Sequence, residues 1–239
     1  MTQVSNETVV IMGGTSGIGL AAGRHLSSMG AKVIVTGRDP ARAAKVAEEN
    51  PTLEAVLVDA TSQSQLEKFF GSQNTIDHLV LCVSGSKGAG EFNTIGLPDL
   101  RQGFDLKFFA QFQAAQSALP KMRRDGSITF VSAISARAAN PGTAGLAAIN
   151  GAIEAMVKPL ARELRPLRVN AVSPGVVETP WWDRLPADVR EPLLQRSAAA
   201  TLVGRNGSAE DLGSAIAFVV TNGFVTGTVL EVDGGLRLN

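Results

Sequence analysis

Val9-Val10-Ile11-Met12-Gly13-Gly14-Thr15-Ser16-Gly17-Ile18-Gly19 is a short apolar run that breaks into glycines and then into an amphipathic pattern. It reads as a strand, a tight loop and a helix N-terminus. Gly13, Gly17 and Gly19 stand in G-x-x-x-G-x-G spacing, where missing side chains permit a sharp turn, close backbone approach to a phosphate, and close packing of helix on strand. Unpaired N–H groups and the helix dipole favour an anion at that point.

Working outward, the apolar period alternates between two residues and three to four, the pattern of repeated βα units feeding a parallel sheet. The spacing predicts strands over 9–12, 31–36, 53–58, 78–83, 127–132, 167–172 and 228–232. Helices are predicted over 18–29, 40–49, 62–70, 98–122, 144–164 and 209–221. Pro98 suits a first helical turn, whereas Pro159 falls inside its helix and should bend it. Residues 174–200 read as an irregular excursion with one or two short helices, placed where a sheet of this kind carries a substrate lid (175–200). The fold class expected is α/β: a single-domain Rossmann fold, 1–239, with a doubly wound seven-stranded parallel sheet and its ligand at the carboxyl ends of strands one and four.

Composition narrows the function. The chain has 239 residues, with Lys plus Arg and Asp plus Glu at 22 each, so no net field draws in nucleic acid or an anionic membrane. Its lone cysteine, Cys82, excludes an internal disulfide framework, and apolar runs are too short to span a bilayer. The start Met-Thr-Gln-Val-Ser-Asn-Glu lacks the basic and apolar regions of a signal peptide, so a cytoplasmic protein is expected. No His/Cys/Asp cluster has metal-ligand spacing, and no metal is expected. His25 and His78 read as structural, and Cys82 as an inert thiol. The chain contains no tyrosine at all.

From Val9 to Gly235 the chain resembles the short-chain dehydrogenase/reductase family. The motifs that carry the likeness are the glycine loop, Asp59 after strand three, Arg168-Val169-Asn170-Ala171-Val172-Ser173-Pro174-Gly175, Thr179, and Val232-Asp233-Gly234-Gly235. The resemblance implies a nicotinamide cofactor held by Gly13, Thr15, Ser16, Gly17, Ile18 and Gly19 around the phosphates, and by Asp59 and Ala60 at the adenine. Val83, Ser84, Val131 and Val177 are further cofactor positions, Asn150 could bond a ribose hydroxyl, and Pro174-Gly175 would lie beneath the nicotinamide with Thr179 bonding its carboxamide. At the end of strand two the acidic position that selects NAD holds Gly37, and Arg38 follows. A guanidinium suits a 2′-phosphate, so NADP(H) is the expected cofactor. The resemblance also implies a homodimer or homotetramer built on the two long helices.

By the same resemblance, the family's catalytic positions are emptied. Leu146 stands where the family has its tyrosine, Asn150 where it has its lysine, Ala133 at the serine, and Lys107 at the asparagine of the proton relay. With no phenol anywhere, no shift of register restores the mechanism. Lys158, eight residues past Asn150, is roughly 12 Å further along the helix and cannot substitute for the lysine. Two functional classes follow. One is an NADP(H)-dependent oxidoreductase with a non-standard centre, acting on a small, apolar carbonyl, alcohol or enone, with Lys107 or water as its proton source and Trp181 and Trp182 either closing an apolar lid or packing on the lid's own helix or a neighbouring subunit. Ser84, Ser86, Lys87, Ser132, Ser135, Asn140 and Glu178 rim that cleft. The other is a sensor or partner subunit that binds the cofactor without turning it over.

Overall fold

The computed structural model describes residues 4–238, so the first three residues of the start segment read for targeting lie outside it. Strand β1 (Thr8–Met12) leads through the glycine loop into helix α1 (Gly17–Ser28). Then come β2 (Lys32–Gly37), α2 (Pro40–Glu49), β3 (Leu53–Leu57), α3 (Gln63–Gly71) and β4 (Ile76–Leu81). The second half holds α4 (Leu97–Gly103), α5 (Ala110–Ala118), β5 (Met122–Val131), α6 (Ala144–Glu163) and β6 (Arg168–Pro174). It closes with β7 (Val177–Glu178), α7 (Ala187–Ala200), β8 (Gly207–Ser208), α8 (Ala209–Thr221) and β9 (Val229–Val232).

Seven strands form one parallel sheet in the order β3-β2-β1-β4-β5-β6-β9. The chain reverses its direction of winding between β1 and β4, where Val10 lies opposite Ile34 on one side and Leu79 on the other. That switch point opens a crevice at the carboxyl ends of the two strands. The strands are apolar on both sides because each face is covered. Leu66, Phe70, Phe130 and Ile153 pack on one face, and Ala22, Leu26, Leu212 and Ile216 on the other.

Three stretches depart from the sequence expectation. The helix predicted as continuous over 98–122 is broken by a π-helical turn, Phe104–Phe109, and ends in a 3-10 turn at Leu119–Lys121. A π turn inserts a residue into the helical register, which a 3.6-residue periodicity in a phenylalanine-rich segment does not reveal. Strand β5 begins at Met122 rather than 127, pairing with Ile76 before a register shift. The excursion after β6 is more regular than expected. A 3-10 turn (Pro180–Arg184) and the 14-residue helix α7 fill it, and β7 pairs with β8 in a two-residue ladder. Pro159 lies within α6, which continues past it to Glu163.

Candidate active site

The glycine loop is a cradle shaped by absent side chains. Gly13 and Gly17 adopt positive φ, 77° and 53°, and a Cβ on Gly13 would stand 2.9 Å from the Cys82 carbonyl carbon. A Cβ on Gly19 would strike the Gly13 carbonyl oxygen. Ser16, extended at the N-cap of α1, makes no side-chain cap bond, so its hydroxyl leaves uncapped the first-turn amides of this 12-residue helix, at the positive end of its dipole. The methyl of Thr179 closes over this loop, 3.3 Å from where a Gly17 Cβ would be.

At the end of β2, the side chain of Thr15 occupies the space that a Cβ on Gly37 would need. An acidic side chain at position 37 is therefore sterically excluded as the structure stands. Arg38 is exposed and has no acidic partner among the described residues. The next residue, Asp39, turns to its own helix instead, its Oδ1 accepting from the amides of Ala41 (2.9 Å) and Arg42 (3.3 Å) as the N-cap of α2. At the end of β3 the Asp59 carboxylate is fixed by Thr61, whose amide and hydroxyl donate to Oδ1 at 2.9 and 2.8 Å.

Gln111, fully buried on α5, ties the crevice walls together. Its Nε2 donates to the carbonyls of Val83 (2.9 Å) and Val131 (3.0 Å), at the exits of β4 and β5. This residue escaped the sequence reading, since a glutamine on a predicted helix face carries no signal of its own.

Hydrogen bonds form two separate groups: Lys107 with Ser132, and Asn150 with Ser135 and Leu146. Lys107 lies in the π turn and its Nζ donates to the Ser132 carbonyl at 3.0 Å. Burial pushes its ammonium down to about 8, against smaller opposing effects from Cys82 and Glu154. Asn150 donates through Nδ2 to Ser135 Oγ (3.0 Å) and to the Leu146 carbonyl (2.9 Å). Its Oδ1 is buried without a hydrogen-bond partner. An orphaned buried acceptor is costly unless a ligand satisfies it, and a sugar hydroxyl is a donor of suitable kind. The cradle, the free guanidinium and this acceptor together fit a phosphorylated dinucleotide.

Other rim residues are engaged elsewhere. Lys87 pairs with Asp99 at 3.0 Å, and Glu178 accepts from Asn206 Nδ2 at 3.0 Å. The Ser132 hydroxyl turns away from the cleft to donate to Glu154 Oε1 at 2.8 Å. Trp181 reaches across from the 3-10 turn, its Nε1 donating to the Gly85 carbonyl at 3.2 Å, while Trp182 Nε1 donates to Val177 O at 2.8 Å. The indoles meet edge to face at 4.7 Å, and the Arg184 guanidinium stacks on Trp181. Cys82 is held inert by burial, which pushes its thiol up to about 12. His25 pairs with Glu210 at 3.1 Å, joining α1 to α8, and His78 lies at the opposite end of the sheet.

Residues 13–237 match the family model for enoyl-(acyl carrier protein) reductase. The chain belongs to the short-chain dehydrogenase/reductase family. It is 29% identical over 247 residues, the full length of both proteins, to the 3-oxoacyl-[acyl-carrier-protein] reductase FabG of Rickettsia prowazekii (strain Madrid E). Among solved structures it superposes on a small-chain dehydrogenase in complex with NADPH with TM-score 0.86 and 31% identity, covering 98% of this chain and 100% of the other. The MalC reductase/Diels-Alderase of Malbranchea aurantiaca superposes with TM-score 0.90 at 25% identity, over 99% and 98% of the two chains. Membership assigns the chain to the oxidoreductases of this family, which bind a nicotinamide cofactor. No helix among the described residues is long and apolar enough to cross a membrane.

Proposed function

We propose that this protein is an NADP(H)-dependent oxidoreductase that works without the family's serine, tyrosine and lysine, using Lys107 Nζ as its proton group. The observation that carries the reading is the placement of Lys107. It stands in a π turn against the Ser132 carbonyl, one residue from Ala133, with its ammonium lowered to about 8. A lysine titrating there can both give and take a proton near neutral pH.

When bound, NADP(H) supplies or accepts the hydride. The first-turn amides of α1, with Thr15, Ser16, Ile18 and the loop glycines, would hold its phosphates, and Arg38 the 2′-phosphate. Asp59 and Ala60 would border the adenine. Val83, Ser84, Val131 and Asn150 would border the ribose, and Pro174, Gly175, Val177 and Thr179 the nicotinamide. Exclusion of an acid at position 37 by Thr15 supports the 2′-phosphate form, as does the likeness to a dehydrogenase solved with NADPH.

In the reducing direction Lys107 Nζ gives its proton to the substrate oxygen, and in the oxidising direction the neutral amine takes it. Leu146, Trp181 and Trp182 would give the substrate side apolar surface, which favours a small apolar carbonyl, alcohol or enone and would exclude water. Residues 175–200 act as the lid, tethered through Trp181 to Gly85. Phe109 and Phe112, 50% and 42% exposed on the π turn and α5, provide an apolar face for a second copy of the chain, giving a homodimer or homotetramer.

The test is a calorimetric titration with NADPH and NADH, followed by turnover with a panel of aliphatic and aromatic ketones, aldehydes and enones. NADPH is expected to bind at least tenfold more tightly than NADH, and Arg38→Ala to remove about 1.4 kcal/mol of that preference. Consumption of NADPH should fall by about 10² to 10⁴ in Lys107→Met. Tight NADPH binding with no turnover on any compound would replace this reading with that of a cofactor-binding sensor or partner subunit.

A further inference from the structure

Behind Lys107 lies a chain of polar groups that the crevice itself does not use. Ser132 offers its carbonyl oxygen to Lys107 Nζ and its hydroxyl to Glu154 Oε1, at 3.0 and 2.8 Å. Glu154 comes from α6, where it follows Leu146 and Asn150 at four-residue steps along one face. Its side chain is only 9% exposed, and Arg137 Nη2 fixes Oε2 at 2.9 Å. Arg137 is held from its other side by Glu231 of β9, at 3.0 Å.

The titratable groups that face the Lys107 ammonium are the Cys82 thiol, from the end of β4, and the Glu154 carboxylate, from α6. The thiol is neutral across the range in which the lysine titrates, because burial raises it to about 12. Glu154 is left as the negative charge at the back of the site.

We propose that Glu154 is a positioning residue for Lys107. Its carboxylate, clamped by Arg137 and joined through Ser132, holds the ammonium against the Ser132 carbonyl and keeps it charged inside an apolar cleft. Remote charge thereby does for Lys107 what a direct ion pair would do, and leaves the Nζ protons free to face a substrate. This inference rests on Lys107 being the proton group, yet its central test does not depend on turnover.

The experiment follows lysine 13Cε resonances of the full-length protein across pH 6 to 11, the Lys107 signal being the one missing in Lys107→Met. Glu154→Gln should lower the Lys107 midpoint by about one pH unit, the scale for removal of a nearby opposite charge. Glu154→Asp, which keeps the charge, should lower it by less than half as much. Arg137→Met, at a partly exposed position less critical to folding, removes the neutralising cation and should raise the midpoint. Midpoints unmoved in both Glu154→Gln and Arg137→Met, or an Asp variant shifted as far as the Gln variant, would overturn the proposal. A shifted midpoint combined with full turnover in Lys107→Met would instead defeat the role of Lys107 while leaving the electrostatic link intact.

Discussion

The two ends of the parallel sheet treat their polar groups in opposite ways. At the amino end, His78 is held between Ser127 Oγ (2.8 Å) and Glu7 Oε2 (2.9 Å), and Arg123 bridges Asp77 and Asp125 at 2.9 and 2.7 Å. Arg168 donates to the carbonyls of Val219, Val220 and Val225, capping the end of α8 and the turn after it. Those side chains border a cavity of about 410 Å³, and they satisfy one another. At the carboxyl end, Arg38 has no acidic partner among the described residues, Asn150 Oδ1 has no donor, and Lys107 is held by a backbone carbonyl alone. Mutual pairing at the amino end serves the fold, whereas the capacity left unmet at these three carboxyl-end side chains is what a ligand would use.

If that contrast is right, truncation should have opposite signs at the two ends. The largest effect is expected at the amino end. Arg168→Met strands buried carbonyls and should cost about 3 to 5 kcal/mol, read as a lower urea midpoint. NADPH affinity of the protein that remains folded should not change. A variant as stable as the parent would erase the distinction.

At the carboxyl end, Lys107→Met should make the protein more stable while removing turnover. The sign follows from the direction of the shift. A lysine depressed from 10.5 to about 8 in the folded state contributes stability only above its unfolded value, and that contribution is lost as pH falls through 8. At pH 7 the charged lysine therefore opposes folding, and its replacement should gain up to about 3 kcal/mol. The gain should shrink as the pH is raised from 8 towards 10.5. A destabilised Lys107→Met at neutral pH would move this residue into the class of Arg168.

The smallest effect concerns His78. Burial, against the pull of Glu7, lowers its pKa below 6.5, so the neutral ring is the folded form. Its contribution is present above about pH 6.5 and is lost as pH falls through its folded value. His78→Gln, which keeps hydrogen-bonding capacity, should flatten the stability profile below pH 6.5 and leave NADPH binding alone. An unchanged acid limb would show that another group governs it.

Much of the architecture was legible because it repeats. Alternating periods marked the βα units, and Gly13, Gly17 and Gly19 marked the cradle, since a glycine requirement is written into the residue itself. The absence of tyrosine was equally plain. What stayed hidden depended on neighbours distant in the chain. Glu154 had a faint signal, being spaced from Leu146 and Asn150 along one helix face, but nothing in that spacing showed Ser132 and Arg137 turned towards it. Thr15 against Gly37 had none, because the contact joins the glycine loop to the end of β2.

By itself, then, the chain determined a doubly wound sheet, a glycine-shaped loop at a helix start, a basic residue after β2, and the absence of any tyrosine. These follow from residue type and local period, which act over a few residues. Only the tertiary structure decided that a π turn carries Lys107 to the Ser132 carbonyl, that Trp181 spans to Gly85, and that Glu154 stands behind the site rather than in it. Those outcomes are set by packing and by the pairing of buried polar groups, and both depend on which distant segments the fold brings together.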